Sequence, residues 1–262
     1  VELIDIGVNL AHESFRHDLP EVLERAAAAG VHRMVVTGTS VETTRAALGL
    51  HRAHPARLFV TAGLHPHHAS EFNTDLRQAL RELACQPGVV AVGECGLDYY
   101  RNYSPREAQL LAFAGQLEVA AETGLPVFLH QRDAHADFMA VLRDFLPHLT
   151  AAVAHCFTGQ AHELEQCLEA GLYIGITGWI CDERRGRHLL PLMSRIPADR
   201  LMIETDAPYL LPRTLRPAPP TRRNEPAFLP EVARVVAEAR NEPVEVLARS
   251  TTATAVRFFA LP

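Results

Sequence analysis

Short apolar runs recur along the whole chain, separated by longer stretches in which apolar and polar positions follow helical spacing. The runs at 3–9, 33–37, 58–62, 89–93, 126–129, 152–154, 173–176 and 201–204 read as strands. Continuous apolar runs of this length mark strands buried on both faces. The intervening spacing predicts helices over 19–29, 41–53, 76–84, 107–122, 136–145 and 162–170, helical structure around 187–194, and two closing helices over 226–240 and 243–259. Ser40 is placed to cap the second helix, and Gly30, Gly124 and Gly171 follow helix ends, where a left-handed residue is favoured. Eight strands alternating with helices at roughly 30-residue spacing predict an α/β fold, a closed (β/α)8 TIM barrel in one domain over 1–262. A doubly wound open sheet ranks second. It calls for a glycine-rich phosphate turn after the first strand, and Asp5-Ile6-Gly7-Val8-Asn9-Leu10 is not one.

The apolar runs end alike. Val89-Val90-Ala91-Val92-Gly93 stops at Glu94, between Gly93 and Gly96, and the other runs stop at or just before Asp5, His65, His130, His155 and Asp206. In a barrel these ends share one face. Two histidines and a glutamate are a sound ligand set for a divalent cation. His130 and His155 each follow an apolar run directly, which favours a ligand over a solvated ring, whereas His67 and His68 sit a step further out and are expected to be solvated. Asp206 is read as a ligand or water-activating carboxylate, with a helix N-cap as the alternative. Asp98 is expected to serve hydrogen bonding. Arg213, Arg216, Arg222 and Arg223 crowd an irregular loop after the last strand, where arginine forks suit phosphate oxygens. Tyr99, Tyr100, Tyr103, Phe157 and Trp179 either stack bases or pack the loops down, and the sequence does not separate the two.

Composition narrows the class. A hydrophobic content of 48% supports a full core, and no apolar run reaches the length of a membrane span. The formal charge is −6 and the chain has no lysine, so it is no general polyanion binder, although a local arginine cluster with a metal still handles phosphates. Five cysteines without CxxC spacing fit free thiols, and the opening residues show no signal-peptide pattern, so a cytoplasmic location is expected.

Six ordered motifs carry a resemblance: Gly63-Leu64-His65-Pro66-His67, Gly93-Glu94-Cys95-Gly96-Leu97-Asp98, His130-Gln131-Arg132-Asp133, His155-Cys156-Phe157-Thr158-Gly159, Glu204-Thr205-Asp206-Ala207-Pro208-Tyr209-Leu210 and Arg223-Asn224-Glu225-Pro226. Together they resemble the TatD family of metal-dependent nucleases over essentially the whole chain. The resemblance implies an amidohydrolase-like barrel, a divalent metal and phosphodiester hydrolysis, as a 3′-5′ exonuclease on single-stranded DNA and on RNA. It implies Glu94, His130 and His155 as metal ligands, Asp206 as further ligand and base or orienter of the water, and His65, Arg222, Arg223 and Asn224 as phosphate contacts. Most of the family carries an HxH pair on the first strand; this chain has Gly7 and Asn9 there, as in one bacterial branch. One firm cation is therefore expected, Mg2+ or Mn2+ with Zn2+ as the alternative, in a monomer with no membrane partner. Two rivals remain. One is a hydrolase of a small amide or ester, for which the fifth strand lacks a bridging lysine. The other is a non-catalytic nucleic-acid-binding protein with a decayed first metal site.

Overall fold

The apolar runs fold as parallel strands because their apolar positions are buried; in the first, every residue from Leu3 to Val8 is buried. The computed structural model describes residues 2–262. The elements are β1 (Leu3–Val8), α1 (Leu19–Ala28), β2 (Val31–Val36), α2 (Val41–Ala53), β3 (Leu58–Ala62), α3 (Thr74–Ala84), β4 (Val89–Asp98), α4 (Arg106–Thr123), β5 (Val127–Arg132), α5 (His135–Phe145), β6 (Ala152–Ala154), α6 (Ala161–Glu169), β7 (Tyr173–Ile176), β8 (Leu201–Ile203), α7 (Leu229–Arg240) and α8 (Val244–Phe259). One sheet takes the strands in sequence order, β1 to β8. This is the order and alternation of a (β/α)8 barrel, as the sequence predicts; a doubly wound sheet would reverse order at a switch point. Ser40 caps α2 reciprocally: its Oγ accepts from Thr43 N while Thr43 Oγ1 accepts from Ser40 N at 2.8 Å.

Contacts divide the chain into two compact halves. One half holds β7, β8, β1 and β2, in which β7 pairs with β8 and β1 with β2. The end of β8 joins β1 through Asp206 N to Gly7 O and Asn9 N to Ala207 O, both 2.8 Å. Here α8 lies against β1 and β8. The other half, Thr37–His155 with Glu165–Tyr173, pairs β3, β4, β5 and β6 in series. Its core includes Phe113 stacked on Phe138, ring centroids 5.5 Å apart and both fully buried, each ring worth about 1.5–3 kcal/mol of burial.

Two expectations need correcting. The fourth strand does not stop at Gly93 but runs on to Asp98, and the fifth runs past Leu129 to Arg132. Glycine permits the extension. A methyl group on Gly93 would meet Phe128 O at 2.2 Å and one on Gly96 would meet His130 O at 1.9 Å. The register steps from Gly93↔Phe128 to Cys95↔Leu129, skipping Glu94, then resumes at Gly96↔His130. Glu94 is thus the extra residue of a bulge inside the strand, a device that re-aims a side chain. The helical structure expected around 187–194 is present as a 3-10 helix over Arg187–Arg195 with Pro191 inside it, since proline removes a donor and crowds the preceding turn.

Candidate metal centre

Strands β3 to β6 bring four predicted site residues together. Glu94 is buried, and three imidazole nitrogens converge on its Oε1: His155 Nε2 at 2.8 Å, His130 Nδ1 at 2.9 Å and His65 Nε2 at 3.4 Å. Three ring nitrogens crowd one oxygen that can accept from two, so they cannot all be donors. The other nitrogen of His130, Nε2, is buried without a hydrogen-bond partner, 3.5 Å from Asp98 Oδ2. A bound divalent cation would satisfy both the orphaned ring nitrogen and the over-subscribed carboxylate, so the residues fit a divalent metal. His65, Glu94 and His130 satisfy the distances of such a group.

Tautomers separate the histidines. His65 Nδ1 accepts the His67 backbone N–H at 3.1 Å, which leaves the proton of the neutral ring on Nε2. A protonated nitrogen donates and does not ligate. His65 therefore belongs to the group by distance, while its hydrogen bonding suits a donor to Glu94 or to a substrate oxygen. Burial pushes the His65 imidazole down to about 4, so it is neutral at pH 7. Burial also opposes charge on Glu94 and His130, but their mutual attraction outweighs it: Glu94, facing His155 and His65 as well, is held well below the carboxylate range, and His130, between Asp98 and Glu94, is raised.

Sequence reasoning missed what positions these groups. Two buried glutamines of α4 pin the strand ends. Gln109 Oε1 accepts Asp98 N at 2.8 Å, and Gln116 accepts Leu64 N at 2.7 Å while donating to Leu64 O at 3.0 Å. A glutamine on an apolar helix face was the available signal. His67, expected to be solvated, instead bonds Asp98 Oδ2 at 2.8 Å. Asp98 takes the hydrogen-bonding role expected of it, accepting Arg101 N at 2.8 Å as well.

The half built on β7, β8, β1 and β2 carries the remaining residues. Gly7 offers no ligand atom. Asn9 turns its amide to Asp206, donating to Oδ1 at 3.1 Å and to Ala207 O at 3.3 Å. Asp206 takes a left-handed backbone (φ 54°) and is no helix N-cap. Glu204, unassigned from sequence, is fully buried and accepts Cys156 N at 2.6 Å.

The arginine loop departs from expectation. Arg223, read as a phosphate contact, forks onto Asp18 at 2.8 and 2.6 Å and reaches Ser14 O at 2.6 Å and Glu225 Oε1 at 2.7 Å. Asn224 is buried and spends its amide on Thr205 O and Tyr209 O. Arg213 pairs with Glu183, and Arg216 donates to the Arg213 and Leu215 carbonyls. Carboxylates and carbonyls within the chain have taken these donors; Arg222 remains exposed. Arg223→Ala is expected to cost about 1–1.5 kcal/mol in urea unfolding, since it removes the fork on Asp18 and leaves Asp18 and Glu225 to Arg25 alone, with Arg223→Lys recovering less than half because an ammonium cannot fork. A change under about 0.5 kcal/mol, the level of an ordinary surface substitution, would show the pairs to be ornamental.

Asp5 is fully buried and accepts Thr205 N at 2.9 Å, Thr205 Oγ1 at 2.5 Å and Gly7 N at 3.3 Å. Burial pushes its carboxyl up to about 8, against those hydrogen bonds. The folded chain then binds a proton that the unfolded chain releases near 3.8. This group's effect on stability falls as pH rises from about 4 to about 8 and is flat beyond, by up to ~1.4 kcal/mol per pH unit. Asp5→Asn, which holds no charge, is expected to flatten the urea-midpoint profile relative to wild type across that window. Parallel profiles for the two proteins would refute the assignment.

Comparison with known proteins decides the lineage. The profile of the TatD related DNase family matches residues 4–260. The chain belongs to this family. The 3′-5′ ssDNA/RNA exonuclease TatD of Erwinia billingiae is 55% identical over 260 residues, 99% of this chain and 100% of that protein. Among solved structures, the TatD homologue YjjV of Escherichia coli K12 superposes with a TM-score of 0.89 at 28% identity, over 99% of this chain and 98% of that one. A TatD family hydrolase of Entamoeba histolytica gives 0.88 at 25% identity, over 100% and 99%. Family membership fits the metal-compatible group around Glu94. No helix among the described residues is long and apolar enough to cross a membrane.

Proposed function

We propose that this chain is a metal-dependent 3′-5′ exonuclease on single-stranded DNA and RNA, working as one domain over 1–262 and as a cytoplasmic monomer. The observation that carries the reading is the convergence of three imidazoles on Glu94 Oε1 with His130 Nε2 orphaned, together with the exonuclease activity in the name of a full-length relative. Five free cysteines suit a reducing compartment.

Glu94, His130 and His155 would hold the cation, with Asp206 as a further ligand. When bound, a divalent cation supplies a water of lowered pKa and offsets charge on the leaving 3′ oxygen. Its nitrogen-rich site ranks Mn2+ above Mg2+ in affinity, with Zn2+ tighter still. Asp206, steadied by the Asn9 amide, orients the attacking water and takes its proton. His65 donates its Nε2–H to a phosphate oxygen, and exposed Arg222 meets the strand's phosphates. The roles first read for Arg223 and Asn224 become support of the loop that carries Arg222.

The test is digestion of single-stranded oligonucleotides labelled at either end, with EDTA, Mg2+ or Mn2+, beside a panel of small amides and esters. Metal-dependent laddering from the 3′ end is expected. Asp206→Asn is expected to lower kcat by about a hundredfold or more, the scale of a positioned general base; turnover within a few-fold of wild type would remove Asp206 from the mechanism. No cleavage with any metal would put the binding-protein reading first.

A further inference from the structure

The tyrosines of the loop after β4 have different fates. Tyr99 donates its hydroxyl to Asp137 at 2.7 Å and carries the Arg106 guanidinium over its ring at 4.1 Å. Tyr100 has Arg132 at 3.8 Å and Arg101 at 5.7 Å from its ring centroid. The Tyr99 ring serves the fold, and the Tyr100 ring, though 58% exposed, is covered by arginine. Tyr103 is 66% exposed, and its ring meets His67 edge-on with centroids 4.7 Å apart.

This exposed ring is not loosely held. The next residue, Ser104, is buried; its Oγ donates to His67 O at 2.9 Å and accepts Ser70 N at 3.1 Å. Gln109 Nε2 donates to Ser104 O at 2.8 Å and to Asp98 O at 3.2 Å. The loop is fixed at both ends by buried polar pins without any help from Tyr103, so packing does not account for the ring. Its position has a direction too. His67 lies 4.1 Å from the His65 ring, which lies 4.6 Å from His130. Tyr103 is thus two ring contacts from the histidine facing Glu94. Arg101 in the loop and Arg106 at the start of α4 are exposed on either side of it in sequence.

We propose that Tyr103, with His67 at its edge, is a stacking platform for one nucleobase of the single strand, the base beside the phosphate held at the Glu94 group. An aromatic face in a rigid setting, interleaved with arginines, suits a base whatever its identity, since every base offers a π-face. Pre-organisation spares the ordering cost that a mobile ring would incur on binding. The platform grips the strand without reading sequence, which is what an exonuclease walking along a strand requires. This inference rests on the nuclease reading and specifies where its substrate lies.

The test measures binding apart from turnover. Single-stranded DNA with 2-aminopurine at the 3′-terminal or the penultimate position is titrated in EDTA, and quenching reports the stack. Tyr103→Ala is expected to raise Kd about five- to hundredfold, the worth of one base–aromatic stack, and to abolish quenching at one of the two positions. Tyr103→Trp should restore both, which shows that the fold survives substitution. An oligonucleotide abasic at that position should bind wild type and Tyr103→Ala alike. If Tyr103→Ala binds within twofold of wild type, or loses as much on the abasic strand, the platform is refuted while metal-dependent cleavage by wild type leaves the nuclease reading standing. If wild type neither binds nor cleaves any single strand, both fall together.

Discussion

Replacing Glu94 with glutamine is expected to reduce exonuclease turnover by about a hundred- to a thousandfold, the scale of losing a group that places charge at the reacting phosphate. Calorimetric Mn2+ binding should weaken by at least as much. The substitution keeps the shape of the side chain and one carbonyl oxygen; what it removes is the charge on which His65, His130 and His155 converge at 3.4, 2.9 and 2.8 Å. A neutral amide does not attract a cation into a ring of imidazoles. Its Nε2 would also set a second donor against whichever ring faces it. Circular dichroism and the thermal midpoint should stay near wild type, because the bulge that aims Glu94 is built from backbone, with Glu94 N bonded to Gly38 O at 2.8 Å. Mn2+ affinity and turnover within a few-fold of wild type would sink the assignment of this group as the metal centre.

The expected effect is large because the fold and the site are one construction, and this also explains which parts were legible in the sequence. The strands β3, β6 and β7 fall where the apolar runs place them, and α2 starts and ends where its cap and spacing predict. Those signals are local. Glu94, His130 and His155 were legible as a set since each follows a run that can only be buried, and three such endings share few explanations. The length of β4 was not legible. Gly93 and Gly96 look like a stop in one dimension, and only the approach of β5 shows that they allow a strand to continue. Arg222 and Arg223 are neighbours of one residue type, yet one is exposed and the other forks onto Asp18, a carboxylate more than two hundred positions away in the chain. His65 shows a third limit: residue type and position mark it as a site residue, but its role turns on which nitrogen accepts the His67 N–H.

Gly96→Ala carries this argument to a residue with no side chain to contribute. The added methyl would stand 1.9 Å from His130 O, and the backbone φ of 142° lies where L residues are strained. Gly96 pairs with His130 in the β4–β5 register, so relief comes only by parting the strands there, which drags a proposed metal ligand with it. Urea unfolding is expected to show a loss of about 3 kcal/mol or more, the scale of backbone strain compounded by a core clash. Mn2+ affinity should fall well beyond the share that partial unfolding explains. Gly124→Ala is the matched control. It also has a positive φ, 69°, but meets nothing within 4 Å, so it should cost only about 1–2 kcal/mol for the left-handed conformation and leave the metal titration unchanged. If the two variants lose stability equally, or Gly96→Ala binds Mn2+ as wild type does, the close approach of β4 to β5 is not what sets His130 beside Glu94.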